Sequence, residues 1–144
     1  MSTSKTNSEM ENVLRDLLKD EGYKLTKRTG LEKLSSDIKV SLDDGGLYIE
    51  IIENEEPGVK KNIDFYQAFF KALSRLNNKN CKHIIIAMLE SSRKNLPIRA
   101  KIHKVAWKRI AEAFTELEIW LVDTVNKKYQ KTSWIYWLKQ KRYS

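Results

Sequence analysis

Between Ser36 and Ile52 the chain reads Ser-Asp-Ile-Lys-Val-Ser-Leu-Asp-Asp-Gly-Gly-Leu-Tyr-Ile-Glu-Ile-Ile. Apolar and polar residues alternate with the period of a β-strand, and Asp-Asp-Gly-Gly interrupts them as a hairpin turn would. Simple antiparallel pairing about that turn sets Leu42 opposite Leu47, Lys39 opposite Glu50 and Asp37 opposite Ile52. Ile38, Val40, Leu42, Leu47, Ile49 and Ile51 then share one side, and Asp37, Lys39, Ser41, Tyr48 and Glu50 the other. Two carboxylates and an ammonium gathered on one sheet face are what a divalent-metal phosphodiesterase requires. The carboxylates offer hard oxygen ligands, which Mg²⁺ prefers at about 2.0–2.1 Å. The plainer alternative is a solvated strand face, with Lys39 in a cross-strand salt bridge worth about 0.2–1 kcal/mol.

The elements that must hold this hairpin can be read outward from it. A first helix starts at Ser8, where Ser-Glu-Met-Glu forms a capping box closed by Glu11. Met10, Val13, Leu14, Leu17 and Leu18 make its buried stripe, and Gly22 ends it. Tyr23 to Arg28 is the expected first strand, and the hairpin supplies the next two. Glu53 to Asn62, with Pro57 and Gly58, reads as a loop. A second helix capped by Asn62 or Asp64 runs to about Leu76 and buries Tyr66, Phe69, Phe70, Leu73 and Leu76. Gln67, Lys71 and Arg75 form an i, i+4, i+8 row on another of its faces.

Ile84-Ile85-Ile86, within Lys82 to Leu89, reads as a strand covered on both sides. After a loop at Ser91 to Pro97, a third helix from about Arg99 to Phe114 buries Ile102, Val105, Ala106, Ile110 and Ala113. Lys101, Lys104 and Lys108 line a second face of it. Glu118 to Asp123 is a fifth strand. The segment 127–144 is basic and aromatic and fits a strand or a short helix equally. Its Trp134, Tyr136 and Trp137 could close the core or stack on unpaired bases at about 1–3 kcal/mol each.

This order predicts one α/β domain over residues 1–144, with residues 1–7 a flexible N-terminus. Its centre is a mixed sheet of about five strands flanked by helices. A 41% hydrophobic, 32% charged composition is globular, and no apolar run suits a membrane span. The polar N-terminus has no secretory pattern, and the single Cys81 allows no internal disulfide, so a reducing, cytoplasmic setting is expected. Neither His83 nor His103 has a ligand partner at useful spacing. The net charge of +8 is uneven: Thr124 to Ser144 holds only basic charges, Asp43 to Glu56 only acidic ones. A basic surface beside an acidic pocket suits a polyanion held near a cation site.

These residues resemble the PD-(D/E)XK nuclease superfamily, the restriction-endonuclease-like three-layer sandwich, and most of all its Holliday-junction-resolvase branch. Glu11, in Glu-Asn-Val-Leu-Arg-Asp-Leu-Leu-Lys-Asp-Glu-Gly-Tyr, resembles the family's first-helix glutamate. Asp37 in Ser-Ser-Asp-Ile matches the strand-two aspartate, and Glu50 in Tyr-Ile-Glu-Ile-Ile the strand-three acid. Gln67 stands where some branches carry a helix glutamine. The likeness spans roughly Ser8 to Val122. It departs from the family at Ser36, where a proline is usual, and at Ile52, which replaces the lysine of Glu-x-Lys. That lysine helps orient the attacking water and offsets transition-state charge. Lys39 is the first substitute for it, Lys71 the second, and Lys60 and Lys61 are weaker ones.

The resemblance implies a Mg²⁺- or Mn²⁺-dependent DNA endonuclease, impaired to the extent that Ile52 is not replaced. Asp37, Glu50, Lys39 and Gln67 would form its catalytic group, and Glu11, Asp37 and Glu50 its metal ligands. Lys71, Arg75, Lys101, Lys104, Lys108, Lys139, Lys141 and Arg142 are the expected nucleic-acid contacts. Resolvase-like enzymes usually dimerise, so a homodimer is implied as well. Two rivals stand beside this reading: a nucleic-acid-binding subunit that has lost its chemistry, and a protein-interaction module whose basic face meets an acidic partner.

Overall fold

The hairpin forms with a tighter turn than the alternation suggests. In the computed structural model, β2 (Ile38–Leu42) and β3 (Gly45–Ile52) are joined by Asp43 and Asp44 alone. Leu42 therefore pairs with Gly45, Val40 with Leu47 and Lys39 with Tyr48. This corrects the expected Leu42–Leu47 and Lys39–Glu50 pairs, while the two-residue slip leaves each side chain on its expected face. The glycines permit it. Gly45 adopts φ +151°, and a Cβ there would collide with the Asn80 carbonyl and the Lys82 side chain. Gly46 donates its N–H to that carbonyl at 2.6 Å, which pins the turn to the chain entering the next strand.

The structure describes residues 9–26, 38–52 and 59–140, with the side chains of 59–64 outside that description. Asp37, Lys141 and Arg142 lie outside the described residues, as does the proposed cap Ser8. The sheet has six strands in sequential order: β1 (Lys24–Leu25), β2, β3, β4 (Cys81–Leu89), β5 (Leu117–Asp123) and β6 (Lys128–Ser133). The β3–β4 and β4–β5 pairs are parallel and the others antiparallel. The mixed α/β sandwich thus follows expectation, with one more strand than counted, because β6 comes from the ambiguous segment after residue 127.

Helices cover both faces. On one, α1 (Glu9–Asp20) buries Met10, Val13, Leu14 and Leu18 against Ile38, Ile49, Ile85 and Trp120. Gly22, at φ +94°, ends the chain's helical path, and Tyr23 N–H returns to the Leu18 carbonyl at 3.0 Å. The other face carries α2 (Val59–Ser74), α3 (Asn95–Ile102), α4 (Lys104–Ala113) and α5 (Tyr136–Lys139). There Ile52, Ile84, Ile86, Ile119 and Leu121 meet Phe65, Ala68, Leu96, Trp107 and Trp137. Among the described residues no helix is long and apolar enough to cross a membrane.

Two helical expectations are overturned. Helix α2 starts at Val59, inside the expected loop, and buries Phe65, Ala68 and Ala72 rather than Tyr66 and Phe70. Small alanines let the helix approach the sheet along the Phe65 side, and Tyr66 and Phe70 turn outward. The single helix expected at Arg99–Phe114 is two helices broken at His103, and its first begins within the expected 91–97 loop. Pro97 is tolerated there because it lies in the first turn. The break swings Ile102 and Val105 to the surface and buries Trp107 instead.

The aromatic tail belongs to the core. Trp134 and Trp107 stack at 3.8 Å, and each indole N–H donates to the other's carbonyl, at 2.8 and 3.0 Å. Trp137 donates to Thr132 Oγ1 at 2.8 Å.

Candidate functional site

Glu50 is the most buried charge among the described residues, only 1% exposed. Its place on β3 pairs it with Ile86 of β4, so its side chain joins the face beneath α2. An ionised carboxylate stripped of water in this way costs several kcal/mol unless it is compensated. Helix α2 supplies the compensation. Arg75, in the 3₁₀ turn that continues α2, donates Nε–H to Glu50 Oε2 at 2.8 Å. Lys71, one turn earlier, brings Nζ to 3.8 Å from Oε1. The i, i+4 spacing aims both cations at one acid. Arg75 is thus an internal ion-pair partner in this structure, not an outward-facing phosphate contact, because its side chain is 13% exposed. Lys71 remains half-exposed and borders solvent.

Beside Glu50, Tyr48 is buried, and its hydroxyl accepts from Asn78 Nδ2 at 2.8 Å. Ile52, at the position of the missing lysine, pairs with Met88 and packs in the α2-side core. Lys39 stands across from Tyr48, with its ammonium 5.4 Å from that ring's centroid. It lines an open depression at the hairpin turn together with Ser41, Asp43, Asp44 and Asn80.

Glu11 is buried in the α1 layer on the opposite face, where its Oε2 accepts from Arg15 Nε at 2.9 Å. Gln67 is exposed on α2, as are Lys101, Lys104 and Lys108 on α3 and α4 and Lys139 on α5. Burial and then the nearby Glu116 raise the Cys81 thiol above its ordinary pKa, which keeps it protonated and a poor nucleophile at neutral pH.

Glu50 has the donor chemistry a hard cation needs, but one carboxylate does not make a site. Among the described residues no group of three acidic, histidine or cysteine side chains could hold a metal ion. The residues that sequence reasoning missed lie on the same side of the sheet. Arg99, on α3, is 8% exposed and stacks its guanidinium 4.4 Å from the Phe65 centroid and 5.3 Å from Tyr66. Tyr66 in turn shares a 2.8 Å hydrogen bond with His103 Nε2. No spacing in the sequence announces this cluster, because its members come from two helices more than thirty positions apart.

The fold now has known counterparts. No protein-family model matches the chain, and no curated protein matches it. Two solved structures are similar in fold. One is an XisH family protein from Nostoc punctiforme, with TM-score 0.58 and 14% identity, covering 87% of this chain and 99% of the other. The second is an FdxN element excision controlling factor protein from Anabaena variabilis, with TM-score 0.60 and 12% identity, covering 88% and 99%. At that identity the likeness is one of fold: this chain shares the α/β architecture of XisH-family structures.

Proposed function

We propose that this chain acts on nucleic acid as a divalent-metal-dependent DNA endonuclease of the PD-(D/E)XK type, with Lys71 in the role of the lysine absent at Ile52. One observation carries the reading. Glu50, the strand acid of the motif, is held on a covered sheet face with the Lys71 ammonium 3.8 Å from its Oε1 and open to solvent on its other side. The similarity in fold to an excision controlling factor supports action on DNA.

Glu50 would hold the metal together with Asp37, the companion implied by the motif, while Glu11 stays in the α1 layer on the opposite face, where Arg15 meets it. A Mg²⁺ or Mn²⁺ ion there would supply polarisation of a phosphate and a lowered pKa for the attacking water. Arg75 fixes one Glu50 oxygen and so orients the other. Lys71 places positive charge where negative charge accumulates on the phosphate oxygens, an effect worth about 10²–10³ in rate for one well-placed donor. The formal charge of +8, with Lys139, Lys141 and Arg142 near the C-terminus, draws the polyanion in.

The test is cleavage of supercoiled plasmid and of branched DNA with Mg²⁺ or Mn²⁺. Wild type should cut, Lys71→Ala should cut at least a hundredfold more slowly, and Glu50→Gln and Asp37→Ala should not cut. A wild type that matches Glu50→Gln on every substrate would end the catalytic reading. Salt-sensitive DNA binding without cleavage would then favour a binding subunit, the outcome to which the buried Ile52 points.

A further inference from the structure

The strongest unexplained feature lies at the meeting of α2, α3 and α4. Arg99 is more than nine-tenths buried, yet among the described residues no carboxylate pairs with it, and its Nε has no hydrogen-bond partner. The faces of Phe65 and Tyr66 are what it packs on. A ring face attracts a cation far less than a carboxylate does, so among the described residues nothing meets the guanidinium's demand for an anion.

Around it the surface is apolar. Phe70 is 72% exposed, Ile102 71% and Val105 66%, and Tyr66 and Ile98 are exposed as well. Helical spacing groups them: Tyr66 and Phe70 are i, i+4 on α2, Ile98 and Ile102 are i, i+4 on α3, and the Tyr66–His103 bond joins the two pairs. Of the residues in α4, Trp107 alone is fully buried, Ile110 and Ala111 are partly buried against the same core, and the rest face outward. Exposed apolar side chains grouped on neighbouring helices mark a surface that another molecule covers. The rim is basic, with Lys101, Lys104 and Lys108 all exposed.

We infer that this corner docks a protein partner through an amphipathic, acidic segment, whose apolar side chains cover Phe70, Ile102 and Val105 while a carboxylate reaches Arg99. Charge chooses among the occupants. A second copy using the same patch would set Lys101, Lys104 and Lys108 against their own counterparts, a like-charge arrangement that opposes association. Nucleic acid would satisfy the lysines but leave the aliphatic Ile98, Ile102 and Val105 facing a hydrated polyanion. A flat membrane surface does not deliver an anion to a guanidinium this recessed. An acidic polypeptide segment meets all three demands at once. The site is separate from the Glu50 region, so its fate does not depend on the nuclease reading.

The experiment selects binders from a random 16-residue peptide library displayed against the full chain, then measures synthetic copies by fluorescence anisotropy. The expected winners combine Asp or Glu with apolar residues at i, i+3 or i, i+4 spacing. Their affinity should fall at least tenfold with Phe70→Ser or Ile102→Ser, and at least tenfold when their acids are replaced by amides. Arg99→Gln should weaken them likewise. If that variant does not fold, the two exposed-site variants decide the matter alone. Winners without acids, or winners indifferent to Phe70→Ser and Ile102→Ser, overturn the proposal. So does a tenfold loss, in those same variants, of binding to duplex DNA or to phosphatidylserine vesicles, or a wild-type dimer in light scattering that Ile102→Ser dissolves.

Discussion

Two buried charges lie on the helix-rich face of this sheet, and the chain treats them in opposite ways. Glu50 is compensated from within: Arg75 and Lys71 meet it at 2.8 and 3.8 Å. Among the described residues Arg99 meets aromatic faces, at 4.4 and 5.3 Å, and no carboxylate. An acid compensated by two cations from one helix is a built arrangement, in which the helix and the strand fix each other's position. A cation left with ring faces at the edge of an exposed apolar patch is an arrangement that a second molecule completes. The first region thus concerns how this chain would do chemistry, the second what it would join.

Substitutions can break that contrast. The largest effect is expected from Glu50→Leu, which removes the carboxylate that Arg75 Nε bonds at 2.8 Å; urea unfolding should show a loss of about 3 kcal/mol. Arg75→Met should cost about 2–3 kcal/mol, since it removes the guanidinium that donates to Glu50 Oε2 at 2.8 Å. Arg99→Met is the counterpart, and it should stay within about 1 kcal/mol of wild type because among the described residues it leaves no carboxylate behind. Equal losses for Arg75→Met and Arg99→Met would show that the two cations are not differently served. Lys71→Met should change stability by only about 0.5 kcal/mol, given its exposure, while still lowering cleavage.

The smallest effect serves as a control in neither region. Tyr129 donates its hydroxyl to Glu21 Oε1 at 2.8 Å. Burial, then that acid, raises its pKa above the ordinary 10.0. The folded protein therefore holds this proton where the unfolded chain has released it. The associated stability is complete below pH 10 and declines as pH rises beyond it. Tyr129→Phe should flatten the alkaline limb of a stability–pH curve and leave neutral-pH cleavage unchanged.

Strong local periodicity was legible. The stripe of α1, the faces of the hairpin and the continuous apolar run of β4 all follow from residue spacing, and each is met by a covering layer. The register of the hairpin was not legible. Asp-Asp-Gly-Gly serves a four-residue or a two-residue turn equally well, and the choice falls to Asn80 and Lys82, which crowd Gly45 from the start of β4. The rotation of α2 was hidden in the same way. Phe65-Tyr66 and Phe69-Phe70 offer two apolar faces of similar strength, and the alanines on the Phe65 side decide between them only once a sheet lies against the helix.

Composition and spacing by themselves determined an α/β chain of strongly basic character, with an acid-bearing hairpin at its centre. Both are local properties, set by side-chain period and by charge count. Which lysine stands near Glu50, and whether Arg99 finds a carboxylate, only the tertiary structure decided. Such contacts join residues far apart in the chain, and their geometry depends on register and helix rotation, where one step of 100° exchanges a buried ring for an exposed one.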